Sequence, residues 1–211
     1  MTVLLTGAGG QLGRVVSSYL TERGAVVIAA DRDLVDLTNA DDTRRFVAQS
    51  ASSLNGVVHL VGGIRAGAPI ESTSPDDVDS MVQLNLVTTF NVMRATIPHL
   101  VSSGGGSIVT IGAKAVLQAE ANRAAYAAAK AAVVSLTLSA AEEGRTSGVR
   151  ANCIVPDVIR TTANLEWGSP EQASTWVEPD EIASVIYGLL EPSCAITGTV
   201  IPMLSTTRRR T

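Results

Sequence analysis

Tyr126 and Lys130 lie four residues apart in the alanine-rich stretch "RAAYAAAKAAVV", whose composition is typical of a helix. Residues with this spacing share one helical face, so the phenol and the ammonium group are expected to be neighbours. A free phenol has a pKa of about 10, and a nearby ammonium lowers that pKa by favouring the phenolate. Such a pair can exchange a proton with a substrate oxygen. The spacing also fits a half-buried tyrosine beside a solvated lysine.

A glycine-rich loop, "TGAGGQLG", follows the first apolar run and precedes the first helical pattern. Gly7, Gly10 and Gly13 are three residues apart, and the predicted helix begins at Gln11 and Leu12. Glycine permits a tight turn and a close approach of the backbone to a pyrophosphate, while the helix start presents free N–H groups to that phosphate. The placement between a strand and a helix predicts a dinucleotide-binding loop.

The second predicted strand ends at Asp31, eighteen residues after Gly13. A carboxylate there can accept hydrogen bonds from an adenosine ribose 2′-hydroxyl and would repel a 2′-phosphate, which favours NAD. The adjacent Arg32 softens that repulsion, so NADP stays open. Asp36, in "VDLT", is by position alone more often a turn cap than a ligand.

Short apolar runs alternate with longer amphipathic stretches along the chain. This pattern predicts a single α/β domain over residues 1–211, doubly wound and Rossmann-type, with helices on both faces of a parallel sheet of about seven strands. Ser74 and Pro75 are expected to cap and begin one long helix. Ligands of such sheets bind at the carboxyl ends of the strands.

The composition excludes several other classes. The net charge of −4 gives no broad electrostatic footprint for nucleic acid, and Arg208–Arg210 is expected to be a solvated tail. His59 and His99 have no partner at metal-ligand spacing, so no metal site is expected. Cys153 and Cys194 lie in apolar runs and are expected to be small buried hydrophobes. With neither a signal peptide nor an apolar span of about 20 residues in the sequence, we expect a cytoplasmic protein without a membrane segment.

Taken in order, these motifs resemble those of the short-chain dehydrogenase/reductase family, and the resemblance extends over nearly the whole chain. The loop "TGAGGQLG" is similar to the family's cofactor loop, and "HLVGG", "QLNLVTTFNVMRA" and "VRANCIVPDVIRTT" fall on three further family segments. The resemblance implies an NAD(P)-dependent oxidoreductase that transfers a hydride between nicotinamide and a small carbonyl, hydroxyl or quinonoid substrate.

The resemblance also implies roles for individual residues. Tyr126 falls on the family's acid–base tyrosine, Lys130 on its lysine, and Asn85 on the asparagine that helps to hold a proton-relay water. Asp36 and Leu37 fall where the family holds adenine. Ile159 and Thr161 fall where the family's residues contact the nicotinamide carboxamide. The full set of implied cofactor-binding residues is Gly7, Gly10, Gln11, Leu12, Gly13, Asp31, Arg32, Asp36, Leu37, Val61, Gly62, Gly63, Tyr126, Lys130, Pro156, Ile159 and Thr161.

The chain departs from the family pattern at several positions. Most members carry a serine thirteen residues before the tyrosine, where it holds the substrate oxygen, and this chain has Ala113. Leu60 and Val61 replace two asparagines, and Asp157 replaces a usual glycine. Losing one positioned donor typically lowers the rate by about two to three orders of magnitude.

Three interpretations of Ala113 remain open. The substrate is so electrophilic that it needs little polarisation, or another donor such as Thr110, Lys114 or a water replaces the serine, or the protein binds the cofactor without turnover. The first has support in "GAKA", which is also similar to dihydropteridine reductases, whose quinonoid substrate accepts hydride readily.

Two further expectations concern surfaces. A short substrate lid is expected around residues 161–179, and it carries Trp167 and Trp176, which either stack on a flat substrate or pack the lid down. The helices that carry Asn85 and Tyr126 are apolar on more than one side. In the family such helices form a four-helix contact between subunits, so we expect a homodimer or a homotetramer.

Overall fold

A computed structural model describes residues 1–50 and 53–206. The predicted basic tail, Arg208–Arg210, lies outside the described residues. The six strands are β1 (Thr2–Thr6), β2 (Val26–Ala30), β3 (Gly56–His59), β4 (Gly106–Ile111), β5 (Val149–Pro156) and β6 (Thr199–Met203). The α-helices are α1 (Gln11–Glu22), α2 (Ala40–Ser50), α3 (Pro75–Met81), α4 (Thr88–Ser102), α5 (Ala124–Glu143), α6 (Thr162–Leu165), α7 (Pro170–Ala173) and α8 (Pro179–Leu190).

The strands form one fully parallel sheet in the order β2-β1-β3-β4-β5-β6. The order reverses between β1 and β3, since the chain moves to one side for β2 and returns to the other side for β3. In doubly wound sheets the crevice above this reversal is where ligands bind. The Rossmann-type α/β prediction is therefore confirmed.

The sheet has six strands among the described residues, whereas about seven were expected. Between β2 and α2 the chain turns twice, with N–H groups of Leu34 and Asn39 donating to the carbonyls of Asp31 and Asp36. Val35, on the same segment, is buried in the hydrophobic core. The segment therefore buries its apolar side chain while it turns toward α2.

Helices cover both faces of the sheet, as predicted. On one face α1 and α8 pack over the buried strand residues, with Val16, Leu20 and Ile186 in one apolar cluster. On the other face α2, α4 and α5 bury a second cluster that includes Val47 and Val92. The core is built from Ala, Val, Leu and Ile side chains, which allow the helices to lie close to the parallel strands.

The predicted long helix begins as expected but is interrupted. The Ser74 hydroxyl accepts a hydrogen bond from the Asp77 amide at 3.1 Å, and Pro75 is the first helical residue. Between α3 and α4 the backbone forms a π-helix over Val82–Val87. π-helical turns are uncommon and often occur at functional sites, and this one contains Asn85.

Helix α5 is long and apolar enough to span a membrane by length and composition alone. In this fold it packs against β4, β5 and the π-helix, with Ala129, Val133 and Ala140 buried. The core helix of a soluble protein can have the same length and composition.

His59, the last residue of β3, is fully buried beneath the crevice. Its Nδ1 lies 2.7 Å from the Thr6 hydroxyl and its Nε2 lies 3.4 Å from the Thr88 hydroxyl, so it connects β1 to α4. Burial, with a smaller repulsion from Lys130, lowers the pKa of His59 from 6.5 to about 3. The imidazole is therefore neutral in the folded protein at ordinary pH.

We predict that His59 makes the protein sensitive to acid. Between pH 6.5 and 3 the unfolded chain binds a proton at His59 and the folded protein does not, so stability falls as the pH falls through this window. From pH 7 to pH 5 this residue should remove about 2 kcal/mol from the free energy of unfolding. The free energy of unfolding of His59→Gln should fall by about 2 kcal/mol less than that of wild type between pH 7 and pH 5. Urea unfolding at both pH values measures this difference.

The matched control for this prediction is His99→Gln, which removes the other histidine of the chain. This variant should keep the full wild-type loss between the two pH values. An equal loss in wild type and His59→Gln would show that His59 does not titrate on unfolding as proposed.

Candidate active site

The glycine-rich loop joins β1 to α1 as predicted. Gly7 has a positive φ of 72°, a left-handed conformation that favours glycine, and Gly10 precedes the helix without a side-chain cap. A β-carbon on Gly13 would stand 2.0 Å from the Gly7 carbonyl oxygen, so no larger residue fits there. The first turn of α1 therefore has no capping side chain on its N–H groups, as an anion-binding helix start requires.

Asp31 lies at the end of β2, directly beside this loop. Both of its carboxylate oxygens accept a hydrogen bond from the Gly9 amide, each at 3.0 Å. Gly9, Asp31 and Arg32 line one open depression next to the main cleft. The structure thus places the two residues expected to select the cofactor together, at the edge of the glycine-rich loop.

Asn85 and the end of β3 are held together by hydrogen bonds. The Asn85 side chain accepts from the Gly63 amide at 3.2 Å and donates to the Gly63 carbonyl at 3.1 Å. It also donates to the Met81 carbonyl at 3.0 Å, across the start of the π-helix. A β-carbon on Gly62 would stand 2.8 Å from both Asn85 Oδ1 and Lys130 Nζ, so these two side chains meet at Gly62.

Tyr126 and Lys130 both lie in the first two turns of α5. Lys130 is buried, and its ammonium donates to the Ile111 carbonyl at the end of β4 at 2.9 Å. Both side chains line the main cleft, together with Gly62 and Gly63. The predicted catalytic residues Asn85, Tyr126 and Lys130 are therefore brought to one place above the sheet, from segments more than forty residues apart.

The charge states differ from the sequence expectation. Burial raises the pKa of Tyr126, and the Arg123 guanidinium partly opposes this. Burial also lowers the pKa of Lys130 from 10.5 to about 8. We predicted a lowered pKa for the tyrosine, and the direction found is the opposite, because desolvation of the phenol is the largest effect and the Glu120 carboxylate adds to it.

The end of β5 and the segment after it line part of the cleft. Pro156 and Ile159 line the cleft with Tyr126, and Ile159 forms an isolated parallel bridge with Val177. The Thr161 hydroxyl accepts a hydrogen bond from the Asn164 amide at 3.4 Å and caps α6. Thr161 therefore lies in the segment after β5, where its hydroxyl caps a helix, and its contact with nicotinamide stays a prediction.

Two predicted adenine-site residues have other contacts. The Asp36 carboxylate accepts hydrogen bonds from the Thr38 amide at 2.9 Å and the Thr38 hydroxyl at 2.7 Å. The Leu37 side chain is buried in the core, and its carbonyl accepts from Asn91 at 3.0 Å. Asp36 therefore acts here as a turn cap, and an adenine contact for this pair stays a prediction. Val61 is half-buried, and a β-carbon added to Gly7 would lie 3.3 Å from one of its methyl groups.

The cleft has a volume of about 490 Å³ and opens above the carboxyl ends of the strands. Its lining combines cofactor-loop, tyrosine and lid residues: Leu12, Leu60, Gly62, Gly63, Ile64, Ile111, Gly112, Ala113, Lys114, Ala115, Glu120, Arg123, Tyr126, Lys130, Pro156, Asp157, Val158, Ile159, Asn164 and Trp167. Within residues 1–50 and 53–206, no cluster of three His, Cys, Asp or Glu side chains is arranged to hold a metal ion.

The residues present fit a dinucleotide. The uncapped start of α1 and the glycines at 7, 10 and 13 leave backbone N–H groups accessible at a position where side chains are sterically excluded. The Gln11 carboxamide oxygen is buried and has no hydrogen-bond partner among the described residues, so it can accept from a bound hydroxyl or amide. A pyrophosphate and its riboses therefore match both the shape and the donor pattern of this edge.

A family model described as "Enoyl-(Acyl carrier protein) reductase" matches residues 1–203. The chain belongs to the short-chain dehydrogenase/reductase family. Membership makes it an NAD(P)-dependent oxidoreductase in class and confirms the resemblance seen in its motifs.

Relatives in this family differ in substrate. A 3-oxoacyl-[acyl-carrier-protein] reductase of Thermotoga maritima is 26% identical over 230 residues, which covers 94% of each chain. A 7alpha-hydroxysteroid dehydrogenase of Bacteroides fragilis is 29% identical and covers 94% of this chain and 91% of its own. Among solved structures, a short-chain type dehydrogenase/reductase from Mycobacterium ulcerans superposes with a TM-score of 0.84 at 27% identity, over 96% of this chain and 88% of the other.

Sequence reasoning did not find the two ion pairs that line the substrate side of the cleft. Lys114 and Asp157 form an ion pair at 3.2 Å, and Arg123 pairs with Glu120 at 2.8 Å, and all four line the cleft. Asp157 and Lys114 are 43 residues apart, so no local spacing connects them. Only the order of the strands in the sheet connects them: Lys114 follows the end of β4, Asp157 follows the end of β5, and these two strands are neighbours.

We predict that Lys130 lowers the stability of the folded protein. Its pKa is lower in the folded state than in the unfolded chain, so its charge is destabilising below about pH 8, and wild-type stability rises with pH between 8 and 10.5. Lys130→Met should therefore be more stable than wild type at pH 7, by at most about 3 kcal/mol. Urea unfolding at pH 7 and pH 10 measures this, and the difference should shrink at pH 10.

The same variant should lose turnover, because the ammonium is part of the proposed catalytic group. If Lys130→Met is less stable than wild type at pH 7, the prediction that Lys130 lowers the stability of the folded protein is contradicted. It would show that the hydrogen bond to Ile111 outweighs the cost of burying the charge.

Proposed function

We propose that this protein is an NAD(P)H-dependent reductase of small carbonyl or quinonoid compounds, with Tyr126 as proton donor. The observation that carries the proposal is the convergence of Tyr126, Lys130 and Gly62 on one cleft above the sheet reversal, with Asn85 bonded to its β3 side. These residues come from three separate segments. A structural role alone gives no reason for the Asn85 carboxamide and the Lys130 ammonium to meet at Gly62.

Each residue has a distinct part in the reaction. A nicotinamide cofactor held by the glycine-rich loop would supply a hydride for the carbonyl carbon of the substrate. The Tyr126 hydroxyl donates its proton to the carbonyl oxygen, so that the C=O bond becomes a C–OH bond. Lys130 would hold the ribose hydroxyls next to the phenol, and Asn85 would support the proton path that reprotonates Tyr126.

The raised pKa of Tyr126 favours this direction. A phenol whose pKa is raised by burial is protonated at neutral pH and is ready to act as a general acid. The oxidation of an alcohol would need the phenolate instead. The charge state thus supports reduction as the working direction.

Asp31 supports NADH as the preferred cofactor. Its carboxylate is held against the Gly9 amide at the edge of the glycine-rich loop, where a ribose 2′-hydroxyl can donate to it and a 2′-phosphate is repelled. Arg32 shares this depression, so NADP remains a weaker alternative.

Residues 161–179 serve as the substrate lid, and the two tryptophans divide the two expected roles. Trp176 is buried, and a β-carbon on Gly168 would stand 2.1 Å from its ring, so the lid packs on this indole. Trp167 is 59% exposed and lines the cleft, with ring centroids 5.1 Å apart between the two indoles. Trp167 offers an apolar face to a flat substrate.

The second candidate function is a cofactor-binding protein with decayed catalysis. Ala113, which lines the cleft without a hydrogen-bonding side chain, favours it, as do Leu60 and Val61 in place of asparagines. The intact arrangement of Asn85, Tyr126 and Lys130 opposes it. A quinonoid substrate of the dihydropteridine reductase type stays a prediction within the first candidate.

The test is turnover and binding measured on the same preparation. NADH oxidation with 2,3-butanedione, ethyl acetoacetate and menadione should be detectable, and Tyr126→Phe should lower kcat by at least about 100-fold. Fluorescence titration should show that NADH binds more tightly than NADPH and that Tyr126→Phe still binds NADH.

The results separate the two candidate functions. Tight NADH binding without turnover of any acceptor would favour the cofactor-binding protein. Turnover that survives in Tyr126→Phe would remove the proton-donor role.

We further propose that the protein works as a cytoplasmic homodimer or homotetramer built on α4 and α5. Phe90 of α4 and Leu138 of α5 are exposed large apolar side chains on these helices, and Val101 lies at the end of α4. Burying such side chains against a second copy removes apolar surface from water.

Light scattering at micromolar concentration should give a mass of at least twice 21.8 kDa. Phe90→Glu should shift that mass toward the single chain, while Ile196→Glu, an equally exposed residue after α8, should not. A single-chain mass for wild type would contradict the proposal.

A further inference from the structure

The position that replaces the family serine leaves the substrate oxygen without its usual donor. Ala113 lines the cleft, and the amide of the preceding Gly112 is already bonded to the Ile154 carbonyl at 2.7 Å. The Thr110 hydroxyl is buried and lies 2.7 Å from the Thr137 hydroxyl of α5. Neither the Gly112 amide nor the Thr110 hydroxyl therefore supplies a donor to the cleft.

Lys114 is the next residue along the chain and differs from these neighbours. Its ammonium lies 3.2 Å from each carboxylate oxygen of Asp157, at the carboxyl ends of adjacent strands. The two side chains are 29% and 14% exposed and line the same cleft as Tyr126. An ammonium has three N–H donors, so the pair with Asp157 leaves donor capacity for a ligand.

Asp157 is itself held in place. Its Oδ2 accepts a hydrogen bond from the Ser205 amide at 3.4 Å, and its backbone amide donates to the Met203 carbonyl at 2.8 Å. Burial raises the pKa of Asp157, but the bonds from Ser205 and Lys114 outweigh this and hold it below its usual range. The carboxylate stays charged and anchors the long lysine side chain beside the cleft.

We propose that Lys114 is a catalytic residue that donates a hydrogen bond to the substrate carbonyl oxygen, in the place of the missing serine, with Asp157 as its positioning residue. This inference rests on the proposed function. A cationic donor stabilises an oxygen that gains negative charge during hydride addition better than a neutral hydroxyl does. The substrate class is therefore a carbonyl or quinonoid oxygen compound.

The decisive experiment is a rescue. Lys114→Met should lower kcat for NADH-dependent reduction of 2,3-butanedione, ethyl acetoacetate or menadione by about 100-fold or more, with the NADH dissociation constant changed by less than about threefold. Adding Ala113→Ser to Lys114→Met should recover at least about tenfold, because the hydroxyl restores a donor at the same oxygen. Ala113→Ser alone should change kcat by less than about threefold.

Two further variants separate catalysis from structure. Asp157→Asn keeps the shape but removes the anchor, and should lower kcat less than Lys114→Met does. Arg65→Met removes a cation paired with Asp77 at 3.1 Å outside the cleft, and should leave kcat unchanged. A merely structural role of Lys114 would alter NADH binding and would not be rescued by the serine.

The outcomes are distinct. Near wild-type turnover of Lys114→Met, or no recovery by Ala113→Ser, overturns the role of Lys114 and leaves the proposed function standing. No turnover by wild type with any of the three acceptors overturns the proposed function, and the role of Lys114 falls with it.

Discussion

The hydrogen bonds between the Asn85 side chain and the backbone of Gly63 are the constraint on which the site depends. They connect the end of β3 to the π-helix and leave only a glycine-sized space at residue 62. Lys130 Nζ reaches the same space from α5 and is held by the Ile111 carbonyl. Tyr126, one turn earlier on α5, is thereby fixed over the crevice.

This arrangement requires burying polar groups that destabilise the fold. Lys130 and His59 lie close enough for their charges to interact, and burial disfavours the charged form of each. An apolar residue in place of the buried Lys130 ammonium would be more stable, whereas the neutral His59 imidazole is hydrogen-bonded to Thr6 and Thr88. A buried ammonium without a carboxylate partner among its described contacts is better explained by chemistry at the cleft than by stability.

The substrate side departs furthest from the family pattern, and its departures are coupled. Ala113 removes a hydroxyl, while Asp157 replaces a glycine and pairs with Lys114. The pair provides both an ammonium donor and the carboxylate that holds this ammonium in the cleft. Trp167 lines the same cleft, so charged side chains and an apolar indole face it together.

The sequence alone determined the Rossmann-type class, the glycine-rich loop and the Tyr126–Lys130 pair, because these follow from local spacing and periodicity. Only the tertiary structure decided that the sheet has six strands among the described residues, and that Asn85 meets Lys130 at Gly62. It also decided the raised pKa of Tyr126 and the Lys114–Asp157 pair. Burial and contacts between distant strand ends depend on how the whole chain packs, and no local pattern encodes them.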